Sequence, residues 1–104
     1  MNPVLLCYCT CPSSETAQAL AQHLVGESLA ACVNLLPKVT SIYRWEGKVT
    51  TDSEVLLLIK TTESRFPALK ARLLELHPYE VPELIGVPVA LGHEAYLDWV
   101  RNET

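Results

Sequence analysis

The sequence predicts an α+β sandwich of the split βαβ type, with elements in the order βαββαβ and one further helix after them. Three observations carry this expectation. Apolar runs of strand character alternate with amphipathic helical stretches in that order. Two strands are joined by a tight turn into one long hairpin. Several strands are apolar on both faces, which calls for burial on both sides of the sheet.

Val4 to Thr10 is apolar and lies between Pro3 and Pro12, so it reads as a buried strand. Ser13 and Ser14 offer N-cap oxygens to a helix whose stripe is Ala17, Leu20, Ala21, Leu24 and Val25, with Gly26 near its end. Cys32 to Trp45, broken by Pro37, and Val49 to Thr62 form the hairpin, and Glu46-Gly47-Lys48 supplies its turn. The hairpin is long for so small a domain. Its tip should project, exposing Ile42, Tyr43, Trp45 and Val49, a liability unless another surface covers them. Ser64 is expected to cap a second helix with Phe66, Leu69, Leu73 and Leu76 as its stripe and Pro67 in its first turn. Pro78 forces that helix to stop. Leu84 to Leu91 reads as a strand that Pro88 confines to an edge or a bulge. Gly92 leads into a last helix carrying Ala95, Tyr96, Leu97, Trp99 and Val100. This is the ferredoxin-like plan, in which helices cover one face of a four-stranded antiparallel sheet. Leu6 and Tyr8 alternate with Leu5 and Cys7, and Leu56 and Leu58 with Val55, Leu57 and Ile59, so these strands are apolar on both faces and self-association is expected.

At 104 residues the chain reads as one domain, 1–104, without repeats, low-complexity tracts or a linker. Twelve acidic against eight basic residues leave a formal charge of -4, and the bases are scattered. Nucleic-acid binding needs a basic stripe, so no nucleic-acid partner is expected. Apolar runs such as Val55 to Ile59 are too short to span a membrane, and the N-terminal residues do not have the pattern of a signal peptide. A cytosolic location is expected, where the four cysteines serve as thiols or metal ligands rather than disulfides.

The chemistry-bearing residues fall into three groups. Cys7, Cys9 and Cys11 alternate and so share one face of the first strand, too far apart and too parallel for an easy disulfide. They are either small hydrophobes or soft donors suited to Cu(I) and Zn. No C-x-x-C pair is present, which argues against a closed structural zinc site, and Cys32 reads as core. The second group is the stiff connector Leu76-His77-Pro78-Tyr79-Glu80-Val81-Pro82-Glu83-Leu84. His77 is either a residue of a helix's last turn, favoured by the dipole, or a ligand. His23 and His93 read as surface residues or caps. The third is Lys60, at the end of a strand, which either pairs with a carboxylate such as Glu83 or snorkels. No hydrolase, P-loop or H-E-x-x-H motif is present, and no enzymatic activity is expected.

Cys9-Thr10-Cys11-Pro12, Leu29 to Asn34, Ser41 to Lys48, Lys60-Thr61-Thr62, His77 to Glu83 and Tyr96-Leu97-Asp98-Trp99 occur in this order. Together they resemble the CutA-type divalent cation tolerance proteins over nearly the whole chain. The resemblance implies a homotrimer with sheets packed at its centre and hairpins reaching onto neighbours through residues such as Tyr43 and Trp45. It also implies tolerance to copper or other divalent metal ions without catalysis. The family's metal-binding cysteine falls on Cys9 and its histidine on His77, with Glu83 or water left to complete the shell. Some bacterial members have a second histidine where this chain has Leu76. Cys7 and Cys11 stand nearby as substitutes that the family pattern does not include. The trimeric plan also resembles PII signalling proteins, which implies an alternative: a regulatory trimer with Lys60, Tyr79 and Glu83 lining a cleft between subunits. An interaction scaffold is the third reading.

Overall fold

The computed structural model describes residues 2–104. Its elements are β1 (Val4–Cys11), α1 (Ser14–Gly26), β2 (Cys32–Trp45), β3 (Lys48–Thr62), α2 (Phe66–Leu76), β4 (Ile85–Pro88) and α3 (Glu94–Asn102). The four strands form one antiparallel sheet in the order β2-β3-β1-β4, so β1 and β3 are interior. The expected α+β split βαβ plan is the observed one.

Strand alternation decides what each face of the sheet meets. Leu5, Cys7, Cys9 and Cys11 of β1 stand beside Val55, Leu57 and Ile59 of β3, and all are buried with Ala17, Leu20 and Leu24 of α1 and Leu69 and Leu73 of α2. Full burial of a leucine or isoleucine side chain contributes about 1.5–3 kcal/mol before the entropy cost of ordering it. Gly86 of β4 pairs with Cys7 beside this layer: a Cβ there would sit 3.1 Å from Cys7 Sγ, so any side chain at this position would press on the cysteine. A second, smaller cluster joins Val4 and Ala31 to Leu97 and Val100. Val4 alternates with Leu5, so α3 covers one end of the opposite face, whereas the expectation placed the helices on a single face.

The N-termini of α1 and α2 are held differently. Ser13 caps α1, its hydroxyl accepting from the Thr16 N–H at 3.2 Å. Ser64 does not cap α2. Arg65 occupies the N-cap position without a side-chain bond, and Pro in the first turn presets the helical φ instead. The Ser64 hydroxyl is engaged elsewhere, accepting from Asn2 Nδ2 at 2.9 Å while the Ser64 N–H donates to Asn2 Oδ1 at 3.1 Å. β4 is shorter than Leu84 to Leu91 and pairs only with β1, as an edge strand ending at Pro88. Cys32 is half-buried on the second face, opposite Lys60, and is not a core residue.

The hairpin is defined at both ends. Glu46 (φ 50°) and Gly47 (φ 78°) form a two-residue turn between the paired Trp45 and Lys48, the positive φ values that match the twist of flanking strands. At Pro37–Lys38 the register slips between Leu36 and Val39, with Lys38 at φ 61°. A 14-residue strand such as β2 spans about 45 Å, and the molecule measures 43 × 25 × 22 Å. Ile42 and Val49 on this arm are 69% and 70% exposed, and Tyr43 and Trp45 are also exposed. The exposed arm continues into the second face of the sheet, where Leu36, Ile85 and Val87 are exposed and Leu6, Tyr8, Leu56 and Leu58 are half-buried.

Gly47→Ala is expected to lower stability in urea denaturation by about 1 kcal/mol, because an L side chain is strained at positive φ. Glu46→Asn, which suits the first position of this turn, is expected to raise it by a few tenths of a kcal/mol.

Candidate metal centre and adjoining cleft

β4 accompanies β1 only as far as the Tyr8–Ile85 pair. Beyond it, the Thr10 carbonyl accepts a hydrogen bond from His77 Nε2 at 2.8 Å. Pro78 excludes the helical conformation for the residue before it, so His77 leaves α2 extended (φ -74°, ψ 136°) while its N–H still donates to the Leu73 carbonyl. That turn lays the ring over β1. Its Nδ1 accepts the Tyr79 N–H at 3.1 Å, and the Tyr79 ring packs on it with centroids 4.8 Å apart. Nδ1 as acceptor and Nε2 as donor define the Nε2–H tautomer. His77 is 7% exposed, so helix-end dipole stabilisation at a surface is not its setting.

Cys9, Cys11 and His77 converge: one donor atom from each lies within 4.8 Å of the others. All three are buried, the two cysteines completely. Cys11 Sγ is 3.7 Å from His77 Nε2, and Cys9 Sγ lies 3.8 Å from the Thr10 carbonyl. The third donor beside Cys9 and His77 is therefore Cys11. Glu83, expected to complete the shell, is exposed and outside the cluster. Cys7 is buried further along the same strand face, where burial pushes its thiol up to about 11. Donation from Cys9 to the Cys11 sulfur holds the Cys9 proton far more tightly than usual, reinforced by burial and by the charges of Cys11, Glu83 and Glu54. The same hydrogen bond lowers Cys11 against the opposing effect of burial. Of the pair, Cys11 is the sulfur that ionises first.

A cleft of about 510 Å³ opens on the other side of Thr10, at the root of the arm. Tyr43, Trp45, Tyr79 and Glu83 line it, together with Glu54. Buried Glu54 accepts the Tyr79 hydroxyl at 2.7 Å, and burial followed by this bond raises the Tyr79 phenol above its ordinary value. The Tyr43 hydroxyl donates to Asp52. Lys60 is not part of the cleft and makes no ion pair with Glu83. It lies further along β3, opposite Cys32, where it donates to Asn34 Oδ1 and approaches Cys32 Sγ to 3.8 Å. The asparagine supplies an uncharged partner on the neighbouring strand, which leaves no need for a distant carboxylate. Sequence reasoning missed Glu54. Its signal was a carboxylate immediately ahead of the apolar run Val55 to Ile59. His23 is exposed and contacts Glu27 at 3.1 Å, and His93 holds the N-cap position of α3 without a side-chain bond.

The chain matches the family model described as CutA1 divalent ion tolerance protein over residues 5–103. It is 56% identical over 95 residues to the divalent-cation tolerance protein CutA of Thermus thermophilus, covering 91% of this chain and 92% of that protein. It is 50% identical over 97 residues to human protein CutA, covering 93% of this chain and 54% of the human protein, so it spans about half of that longer relative. Among solved structures, the Thermus thermophilus protein superimposes with a TM-score of 0.95 at 52% identity, covering 97% of this chain and 98% of the other. CutA1 of Oryza sativa gives 0.95 at 46% identity, covering 98% and 94%.

His77→Ala removes the partners of the Thr10 carbonyl and the Tyr79 N–H together and is expected to cost about 2–4 kcal/mol in urea denaturation. Hydrogen exchange at the Tyr79 amide should accelerate. Unchanged protection there would show that the ring does not hold the connector.

Proposed function

The chain belongs to the CutA1 family of divalent ion tolerance proteins, and on that premise we propose that it binds metal ions at the Cys9–Cys11–His77 cluster as a homotrimer without catalytic turnover. The observation that carries this reading is the cluster itself: two buried thiols, soft metal donors, drawn together with a buried imidazole at one point between β1 and the end of α2. Copper suits this donor chemistry best. The names of the relatives describe tolerance to divalent cations and no reaction, which supports a binding role. Reduced thiols of this kind suit a reducing compartment such as the cytosol.

The trimer reading draws on the apolar face. Leu36, Ile85 and Val87 beside Leu6, Tyr8, Leu56 and Leu58 make a continuous surface that a lone subunit would leave in water. On the arm Tyr43 and Trp45 extend this face, while Ile42 and Val49 project from its other side. Packing against two further copies would cover both, and no helix among the described residues is long and apolar enough to cross a membrane.

The cleft favours a second reading, a regulatory protein that takes a small ligand. Tyr79 and Glu83 line this cleft within one subunit and Lys60 does not, whereas that reading sets all three in a cleft between subunits. Thermal-shift screening distinguishes the two: metal-only hits would leave the cleft without a role.

Titration with Cu(I), Cu(II) and Zn(II) is expected to give one tightly bound ion per chain for at least one of them, and none in Cys9→Ser/Cys11→Ser protein whose circular dichroism is native. Equal binding by both proteins would place the metal elsewhere. In sedimentation at micromolar concentration the wild type should run as a trimer, and Leu58→Glu should dissociate it by placing a charge on the covered face.

A further inference from the structure

Resting on the metal-binding reading above, we propose that the primary chelate is the Cys9–Cys11 pair, that its ion is monovalent and thiophilic, Cu(I) in chemical class, and that His77 is a hydrogen-bonded clasp beside it and not a ligand. This assigns Cys11, which the family resemblance left out, and withdraws the histidine that the resemblance put forward.

Three observations point the same way. First, both nitrogens of His77 are already committed. Nε2 donates to Thr10 at 2.8 Å and Nδ1 accepts from Tyr79 at 3.1 Å. A histidine ligand ordinarily donates its remaining N–H to an acceptor, and this ring meets an N–H donor there instead. Ligation through Nε2 would cost the Thr10 bond and set Nδ1–H against the Tyr79 N–H. Second, neither sulfur has a close polar partner outside the pair: Cys9 lies 3.8 Å from the Thr10 carbonyl and Cys11 lies 3.7 Å from the ring. They stand two residues apart on one strand face, about 6.7 Å between Cα atoms, where a disulfide would be strained. Two metal–sulfur bonds of about 2.3 Å can bridge sulfurs up to about 4.6 Å apart, and these sulfurs lie within 4.8 Å of each other, so a bridging ion asks for little movement of either side chain.

Third, the surroundings select the ion. Zinc seeks four ligands, and calcium or magnesium six or more oxygens. Among the described residues no carboxylate joins the cluster, and both cysteines are completely buried, so water is not at hand to fill a shell. Cu(I) is satisfied by two thiolates. Each cysteine that ligates as thiolate releases its proton to solvent, and the metal changes no oxidation state. The Nε2–H donates to Thr10, and its positive end, with Nε2 3.7 Å from Cys11, still lies close enough to the resulting negative sulfur to help offset its burial.

The test uses full-length protein under anaerobic conditions, with Cu(I) buffered by bathocuproine disulfonate and Ag(I) as a redox-inert probe. Wild type is expected to bind one ion per chain, Cys11→Ser at least about 100-fold more weakly, and His77→Gln no more than about tenfold more weakly. Unchanged binding in Cys11→Ser would overturn the proposal. So would Zn(II) or Cu(II) binding as tightly as Cu(I). Should His77→Gln misfold, wild type labelled with ¹⁵N in its histidine rings decides: the Nε2 proton is expected to persist after Ag(I) loading. Its loss would make His77 a ligand, which overturns this proposal and leaves metal binding at the cluster intact. Failure to bind any ion removes both.

Discussion

The structure depends on how β1 is completed where β4 stops. β1 lies between two partners, yet its pairing with β4 ends at Tyr8, three residues before the strand itself ends at Cys11. A buried carbonyl without a donor costs about 1–3 kcal/mol, so the Thr10 oxygen needs a partner that no strand supplies. His77 supplies it, and the geometry of the neighbourhood follows. Pro78 turns His77 out of the helix, the ring reaches Thr10, and Tyr79 folds back so that its N–H meets the same ring and its hydroxyl meets Glu54 on β3. One imidazole thereby ties the end of α2 and the root of the arm to the sheet. It also closes the space beside Cys9 and Cys11.

Much of this fold was legible because its signals are local and repetitive. The stripe Ala17, Leu20, Ala21 and Leu24 could only be a helix face, and Glu46-Gly47 could only be a tight turn. Pro88 correctly confined its strand to an edge. The failures share a physical cause, since each turned on a partner distant in sequence. Ser64 had the chemistry of a cap, but the carboxamide of Asn2 had taken its hydroxyl. Lys60 had the charge for an ion pair, but Asn34 was across the strand and Glu83 was not. At the candidate site, the alternation of Cys7, Cys9 and Cys11 correctly placed them on one face. Which sulfur would approach the imidazole depended on how far β1 runs beyond β4. Composition and spacing carry no trace of that length.

The two faces of the sheet are separated in purpose by alternation alone. Leu57 and its neighbours fill a core against α1 and α2, while Leu56 and Leu58, one step along the chain, meet a surface that this subunit leaves largely uncovered. The buried cluster and the acidic cleft are separated in the same way, with Thr10 between them: its carbonyl serves His77 and the residue lines the cleft. Changes on either side of β1 are therefore felt through a single strand.

The arm is pinned at its base by the slip between Leu36 and Val39 and at its tip by Glu46-Gly47. Between these points every residue has a fixed partner, and side chains alternate with a period of two. Adding or deleting one residue in each strand would turn Ile42 and Val49, which share one face, and Tyr43, on the other, each to the side opposite its present one. The arm's length is consequently quantised. It tolerates growth or shortening only in pairs of residues per strand, about 7 Å at a time, so its reach is adjustable in coarse steps while its facing is not adjustable at all.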